Sequence, residues 1–199
     1  DNSKDENFFN KIKLLNINVI RIPYFEKMRN RVTKAHNRLR EFALKNNFNY
    51  LLVLDQDIIP QTDVIEKLLS YNKDAISALY FGHHNLPNGE NRIMPFAWSF
   101  MEKKDFWGKV GYLTEEEMES SDLLEIAFAG MGCTLLSKRI LKKIKFHYDE
   151  SIEAWDDRWL GYDIHKKGFK FYLDPRIKCK HLYLKRPFDY HEIKKQGLV

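Results

Sequence analysis

Two carboxylates, Asp55 and Asp57, close the continuous apolar run Tyr50-Leu51-Leu52-Val53-Leu54. Such a run suits a strand buried on both faces, as in a parallel sheet. Ligands of open α/β sheets gather outside the carboxyl ends of the strands, and residues i and i+2 of a strand share a face, so both acids are expected to look into one cleft. Hard oxygen donors placed there suit Mg²⁺ or Mn²⁺, ions that join a few carboxylates to substrate phosphates. The plain alternative for an Asp-x-Asp triplet is a solvated turn. A second acid pair, Asp156-Asp157, opens a helical stretch, where two carboxylates also complement the helix dipole without any chemistry. Trp155 and Trp159 flank that pair, as a platform for a sugar ring or as packing. Gly130-Met131-Gly132 interrupts an apolar segment, a pattern that serves close backbone packing or close approach of backbone to a ligand. His83-His84 has no acid at ligand spacing and reads as a solvated loop, and Lys178, Lys180, Lys185 and Arg186 read as solvated, with one of them available to neutralise a diphosphate.

The elements that would position these residues follow from periodicity. Residues 18–22 read as a short strand stopped by Pro23. Over residues 24–46, Phe25, Met28, Val32, Ala35, Leu39 and Phe42 recur at steps of three and four, predicting an amphipathic helix that lays this stripe on a sheet. After the strand at 50–54, a helix capped by Thr62 or Asp63 runs through Leu69, and residues 75–81 form another strand. This is the α/β alternation. Residues 82–122 read as a long irregular stretch with hairpin strands at 94–102. Residues 124–136 are apolar and 138–144 form a short basic helix. Residues 156–167 form a helix ended by Gly168, and strands at 169–173 and 177–181 flank an Asp174-Pro175 turn.

Composition narrows the class. A chain of 199 residues fits one domain, and its 14 Phe, 10 Tyr and 4 Trp exclude disorder. Two cysteines, Cys133 and Cys179, are too few for a disulfide scaffold, so a reducing, cytoplasmic compartment is the default. No stretch reaches the roughly 18 apolar residues of a membrane span. The charge of +5 comes from scattered Lys, which does not point to nucleic acid and leaves open peripheral association with an acidic membrane face.

The string YLLVLDQDIIPQTDVIEKLL followed by AISALYF resembles the nucleotide-sugar glycosyltransferases of the GT-A fold, especially the large family-2-like group. FAGMGCTLLSKRIL resembles that family's Gly-x-Gly segment beside the sugar site, and AWDDRWLGYDIHKKGFKFYLDPRIKCKHL its acidic-pair helix, glycine, strand and terminal histidine. The resemblance runs over residues 1–182 with its segments in order. It implies a GT-A mixed sheet flanked by helices, shorn of the first strand-helix-strand unit, and a Mn²⁺- or Mg²⁺-dependent transfer of a sugar from a nucleotide-diphosphate donor to a hydroxyl of a glycan, lipid or protein, with inversion. On it, Asp57 binds the ion, Asp55 approaches the ion or the ribose, and His181 completes the metal set. Asp157 is the base that deprotonates the acceptor hydroxyl. Donor contacts fall to Asp1, Asn37, Asp55 and Gln56, and sugar or acceptor contacts to Gly130, Met131, Gly132, Trp155 and Asp156. Where members often carry Ala-Arg-Asn, this chain has Ala35-His36-Asn37. Two rival readings stand beside it: a haloacid dehalogenase-like phosphatase, which also places Asp-x-Asp after an apolar strand, and a non-catalytic nucleotide- or carbohydrate-binding domain.

Overall fold

The computed structural model describes residues 1–85, 88–102, 106–107, 109–183 and 186–188. Its centre is a mixed sheet in the order β1 (Tyr50–Leu54), β10 (Cys133–Ser137), β3 (Ala75–Leu79), β11 (Phe171–Lys178), β8 (Leu124–Ile126). Only the β3–β11 pair is parallel; β1–β10, β10–β3 and β11–β8 are antiparallel. Successive residues of the central strands face opposite ways, so each face has its own core. Leu136, Ala75, Phe171 and Leu173 pack with α5 (Lys138–Lys143) and α6 (Asp156–Lys166) on one side. Leu135 and Ile76 pack with Val64 and Leu68 of α3 (Val64–Ser70) on the other. Each such fully buried aliphatic or aromatic side chain contributes about 1.5 to 3 kcal/mol of transfer free energy.

Around this sheet lie smaller ones: a hairpin of β4 (Phe81–Asn85) and β5 (Asn91–Pro95), a three-stranded piece built from β6 (Ala97–Phe100), β7 (Val110–Tyr112) and β9 (Phe128–Ala129), and another from β2 (Ile58–Ile59), β12 (Lys180–Tyr183) and β13 (Arg186–Phe188). The expected irregular stretch at 82–122 thus contains residues of four paired strands, β4 to β7, and the short α4 (Glu115–Glu119), which is held by a capping box between Thr114 and Glu117. Lys185 lies outside the described residues, as does the side chain of Arg186, while Lys180 is exposed.

Three expectations are corrected. First, β1 is an edge strand running antiparallel to its single neighbour in the sheet, with only Val53 buried, so it is not a strand covered on both faces in a parallel sheet. Second, α2 (Met28–Lys45) buries Thr33, His36, Arg40 and Ala43, leaving Met28, Leu39 and Phe42 exposed. Hydrogen bonding fixes this rotation: Arg40 Nε donates to Ile144 O at 2.7 Å, and Asn37 pairs with both backbone groups of Phe146 at 2.7 and 3.1 Å. Buried backbone groups need such partners, and the polar stripe supplies them. Third, residues 18–22 form no strand. Among the described residues their backbone pairs with Asp1, through Asp1 N to Ile20 O and Ile22 N to Asp1 O. In front of them lies α1 (Asn7–Leu14), which buries no residue. The expected 169–173 strand and the start of the 177–181 strand merge through the Asp174-Pro175 pair into β11, with a register shift after Asp174 that accommodates Pro175, while the rest of the latter strand belongs to β12. Gly168 takes a φ of +77° beyond α6, as its expected capping position requires.

Candidate functional site

β1 ends at Leu54, and Asp55 N continues the ladder by donating to Gly132 O at 3.0 Å. The chain then turns, Ile58 N to Asp55 O at 3.1 Å, before β2 begins. The alternation that would have put Asp55 and Asp57 on one face is broken by this turn. Asp57 belongs instead to the β2–β12 ladder: Leu182 N donates to Asp57 O at 2.7 Å and Ile58 pairs with His181. That register sets the two side chains side by side, with His181 Nε2 at 3.4 Å from Asp57 Oδ2. The other ring nitrogen, Nδ1, lies 2.6 Å from Phe81 O, a carbonyl that can only accept, so Nδ1 carries the proton.

With Nδ1 committed to Phe81 O, Nε2 is the ring nitrogen that faces the Asp57 carboxylate, an arrangement that suits a shared cation, with the backbone carbonyl orienting the ring as outer partners of metal-bound histidines do. Two ligands that each sit roughly 2.1 Å from one ion lie at most about 4.2 Å apart, which the Asp57–His181 separation satisfies. The expected trio is not assembled, however. Among the described residues no group of three or more His, Cys, Asp or Glu is placed to hold a metal ion, and Asp55 stands across the turn from the pair. An ion held by Asp57 and His181 would need its remaining ligands from water or substrate oxygens, as Mg²⁺ commonly does.

Asp55 and His36 line two adjoining hollows. One, of about 690 Å³, also has Asp1, Gln56, Asp57 and Leu54 in its walls. The other, of about 280 Å³, is walled by Tyr80, Phe96, Gly130, Met131, Trp155, Asp156 and Asp157. The cleft thus runs from the Asp57 end of the molecule to the first turn of α6. There Asp156 and Asp157 part company. Asp156 is 3% exposed and its Oδ2 lies 2.7 Å from His36 Nδ1. Asp157 is half-buried, and its Oδ1 accepts from the orphan N–H of Arg158 at 2.6 Å. Burial, and next the Asp156 carboxylate, push Asp157 up to about 7, against the opposing pull of the Arg158 N–H and of the His36 and Arg158 charges. A carboxyl poised there suits proton transfer near neutral pH.

Other expected contacts are placed differently. Asp1 borders the larger hollow, but its carboxylate is committed to Arg21 and to Ser3 Oγ, the latter at 2.6 Å, and its side chain is 2% exposed. Asn37 is spent on Phe146 and Thr33 and lines neither hollow, so it is a structural clamp and not a donor contact. Gly130 borders the smaller hollow and Gly132 lines neither, and what approaches both is Tyr80: a Cβ at Gly130 would meet the Tyr80 hydroxyl at 2.1 Å, and one at Gly132 the ring at 2.6 Å. Trp155 is 45% exposed in the cleft, whereas Trp159 packs against Trp107 and His147. His83-His84 is no solvated loop. His84 lies in β4 among Phe96, Trp98 and Tyr112, and burial, then His83, lowers its pKa to about 4.

Sequence reasoning missed two residues of the site. His36 is visible only once α2 is turned onto its 33-36-40-43 face, and Tyr80 only through the glycines that make room for it.

No family model and no curated protein matches the chain. Among solved structures it is similar to that of A197 from STIV, a viral protein, with a TM-score of 0.52 at 15% identity, covering 94% of this chain and 85% of that one. At that identity the likeness is one of fold: a mixed α/β domain with a central sheet between helices. Among the described residues no helix is long and apolar enough to cross a membrane.

Proposed function

We propose that the chain is a metal-dependent glycosyltransferase of the GT-A type that moves a sugar from a nucleotide-diphosphate donor to a hydroxyl of a glycan, lipid or protein acceptor, with inversion. The observation that carries this reading is the shared cleft: Asp57, paired with His181 in a way that suits one hard cation, borders a hollow continuous through His36 and Asp55 with the one that holds Asp157. A phosphate-binding end and a basic carboxylate end are what displacement of a diphosphate by a hydroxyl requires.

Asp57 and His181 would hold Mn²⁺ or Mg²⁺, which when bound would supply positive charge to offset that of a departing diphosphate. Gln56, exposed at the mouth of the larger hollow, faces the nucleotide. Asp157 accepts the proton of the acceptor hydroxyl as its oxygen attacks the anomeric carbon from the face opposite the leaving group. Asp156, held by His36, keeps the first turn of α6 in place and takes no proton from substrate. Trp155 offers its exposed ring to a sugar.

A thermal-shift panel of nucleoside diphosphates with and without Mn²⁺ tests the reading, because a ligand that binds only the native state raises the melting temperature by mass action. Metal-dependent stabilisation by one nucleotide is expected. Equal, flat responses to every nucleotide, with no sugar transferred to any acceptor, overturn it.

A further inference from the structure

Tyr80 is 4% exposed, and its position is over-determined. Its ring stacks on Phe96 at 5.1 Å and 12°, meets His181 edge-on at 5.6 Å, and fills the space that the missing side chains of Gly130 and Gly132 leave. Its oxygen accepts the N–H of Gly132 at 3.1 Å. A phenol both accepts and donates, and among the described residues no group accepts the Tyr80 proton. The ring walls the smaller hollow alongside Asp55 and Asp157. A buried donor without an acceptor costs free energy in the empty protein and becomes a recognition element once a ligand supplies one.

We propose that Tyr80 is a specificity-determining residue whose hydroxyl donates a hydrogen bond to one ring hydroxyl of the donor sugar seated between it and the acidic side chains of the smaller hollow. This rests on the glycosyltransferase reading. A sugar hydroxyl is the chemistry that fits, because it accepts from Tyr80 and donates to a neighbouring carboxylate at once; a phosphate oxygen would meet Asp55 and Asp157 as like charges.

The test is calorimetric titration, in Mn²⁺, of the chain with UDP-glucose, UDP-galactose, UDP-N-acetylglucosamine and GDP-mannose, then with monodeoxy analogues of the sugar that binds. The native chain is expected to lose about 10- to 100-fold in affinity for one analogue. Tyr80→Phe should bind the parent sugar and that analogue equally, with affinity for the bare nucleoside diphosphate unchanged. Placing 4-fluorophenylalanine at position 80 restores the bulk of the hydroxyl without its proton and should behave as Tyr80→Phe does, even if the Phe variant is poorly folded. Retained discrimination in either folded variant, or no analogue that costs the native chain affinity, overturns the role of Tyr80 alone. No binding of any nucleotide sugar by the native chain overturns the glycosyltransferase reading, and the role with it.

Discussion

His36 Nδ1 and Asp156 Oδ2 lie 2.7 Å apart although 120 residues separate them in the chain, joining the buried face of α2 to the first turn of α6. Both side chains are almost fully buried, so neither tolerates loss of the other. Replacing His36 by Ala strands a carboxylate in the interior and should lower unfolding free energy by about 3 to 5 kcal/mol. The double variant His36→Leu with Asp156→Leu removes both polar partners and should recover most of that loss, a non-additivity that urea unfolding of the two singles and the double measures. Simple addition of the two single effects would refute the coupling.

Asp157 links stability to activity. Its native pKa of about 7 exceeds the ordinary 3.8, so between about pH 4 and pH 7 the native chain holds a proton that the unfolded chain has released. Stability from this group therefore falls as pH rises through that window and is level above it. Transfer needs the carboxylate, so its rate should rise over the same window. Asp157→Asn should abolish the pH-dependent loss, gain on the order of 2 kcal/mol at pH 8, and lower transfer at least about 100-fold. Urea midpoints and initial rates from pH 4 to 8 read both.

The Asp57–His181 pair predicts its own titration. Mn²⁺ binding to the native chain, followed by electron paramagnetic resonance, should weaken at least about tenfold in Asp57→Ala and in His181→Ala. Asp55→Asn, across the turn, should weaken it far less. Equal losses at all three positions would restore the three-residue set that the turn separates.

The parts of the fold legible in the sequence were those set by local apolar pattern. The run at 50–54, the helix after Asp156 and its Gly168 stop were all found, because one strand or one helix decides them. The face of α2 was not. Its apolar stripe is the stronger signal, yet Arg40, Asn37 and His36 find partners at Ile144, Phe146 and Asp156 that the sequence places more than 100 residues away. The edge position of β1 was hidden for the same reason, since antiparallel pairing with β10 depends on a strand some 80 residues downstream. In the site, spacing alone suggested that Asp55 and Asp57 act together. Both do line the larger hollow, but the turn between them gives Asp57 to the β12 strand and the Asp55 N–H to Gly132 O, a division of backbone partners only the ladder reveals.

The glycines at 130 and 132 make a steric prediction. A methyl at 132 would sit 2.6 to 2.9 Å from three atoms of Tyr80, a side chain wedged by Phe96 and His181 and so unable to yield. Gly132→Ala should cost about 1 to 3 kcal/mol. Gly89→Ala is the control for open space, since nothing lies within 4 Å of its Cβ position, and its cost should come from its φ of +84° alone. Denaturant midpoints compare them.

Asp174, which lines neither hollow, governs acid stability. It is 2% exposed in β11 and accepts from Tyr71 Oη at 2.6 Å, Arg176 Nε at 2.9 Å and Arg176 N at 3.0 Å. Burial alone would raise its pKa, but these hydrogen bonds and the guanidinium charge more than offset it and hold the carboxyl below its ordinary range. A depressed native pKa means that the unfolded chain takes up the proton first. The stabilisation is complete above the unfolded value near 4 and drains away as pH falls below it toward the native value. Asp174→Asn should therefore be destabilised by about 1 to 3 kcal/mol at pH 7, and the gap to the native chain should narrow as pH drops from 5 to 2. Thermal melts across that range measure it, and a gap that stays constant would show that Asp174 acts by packing and not by charge.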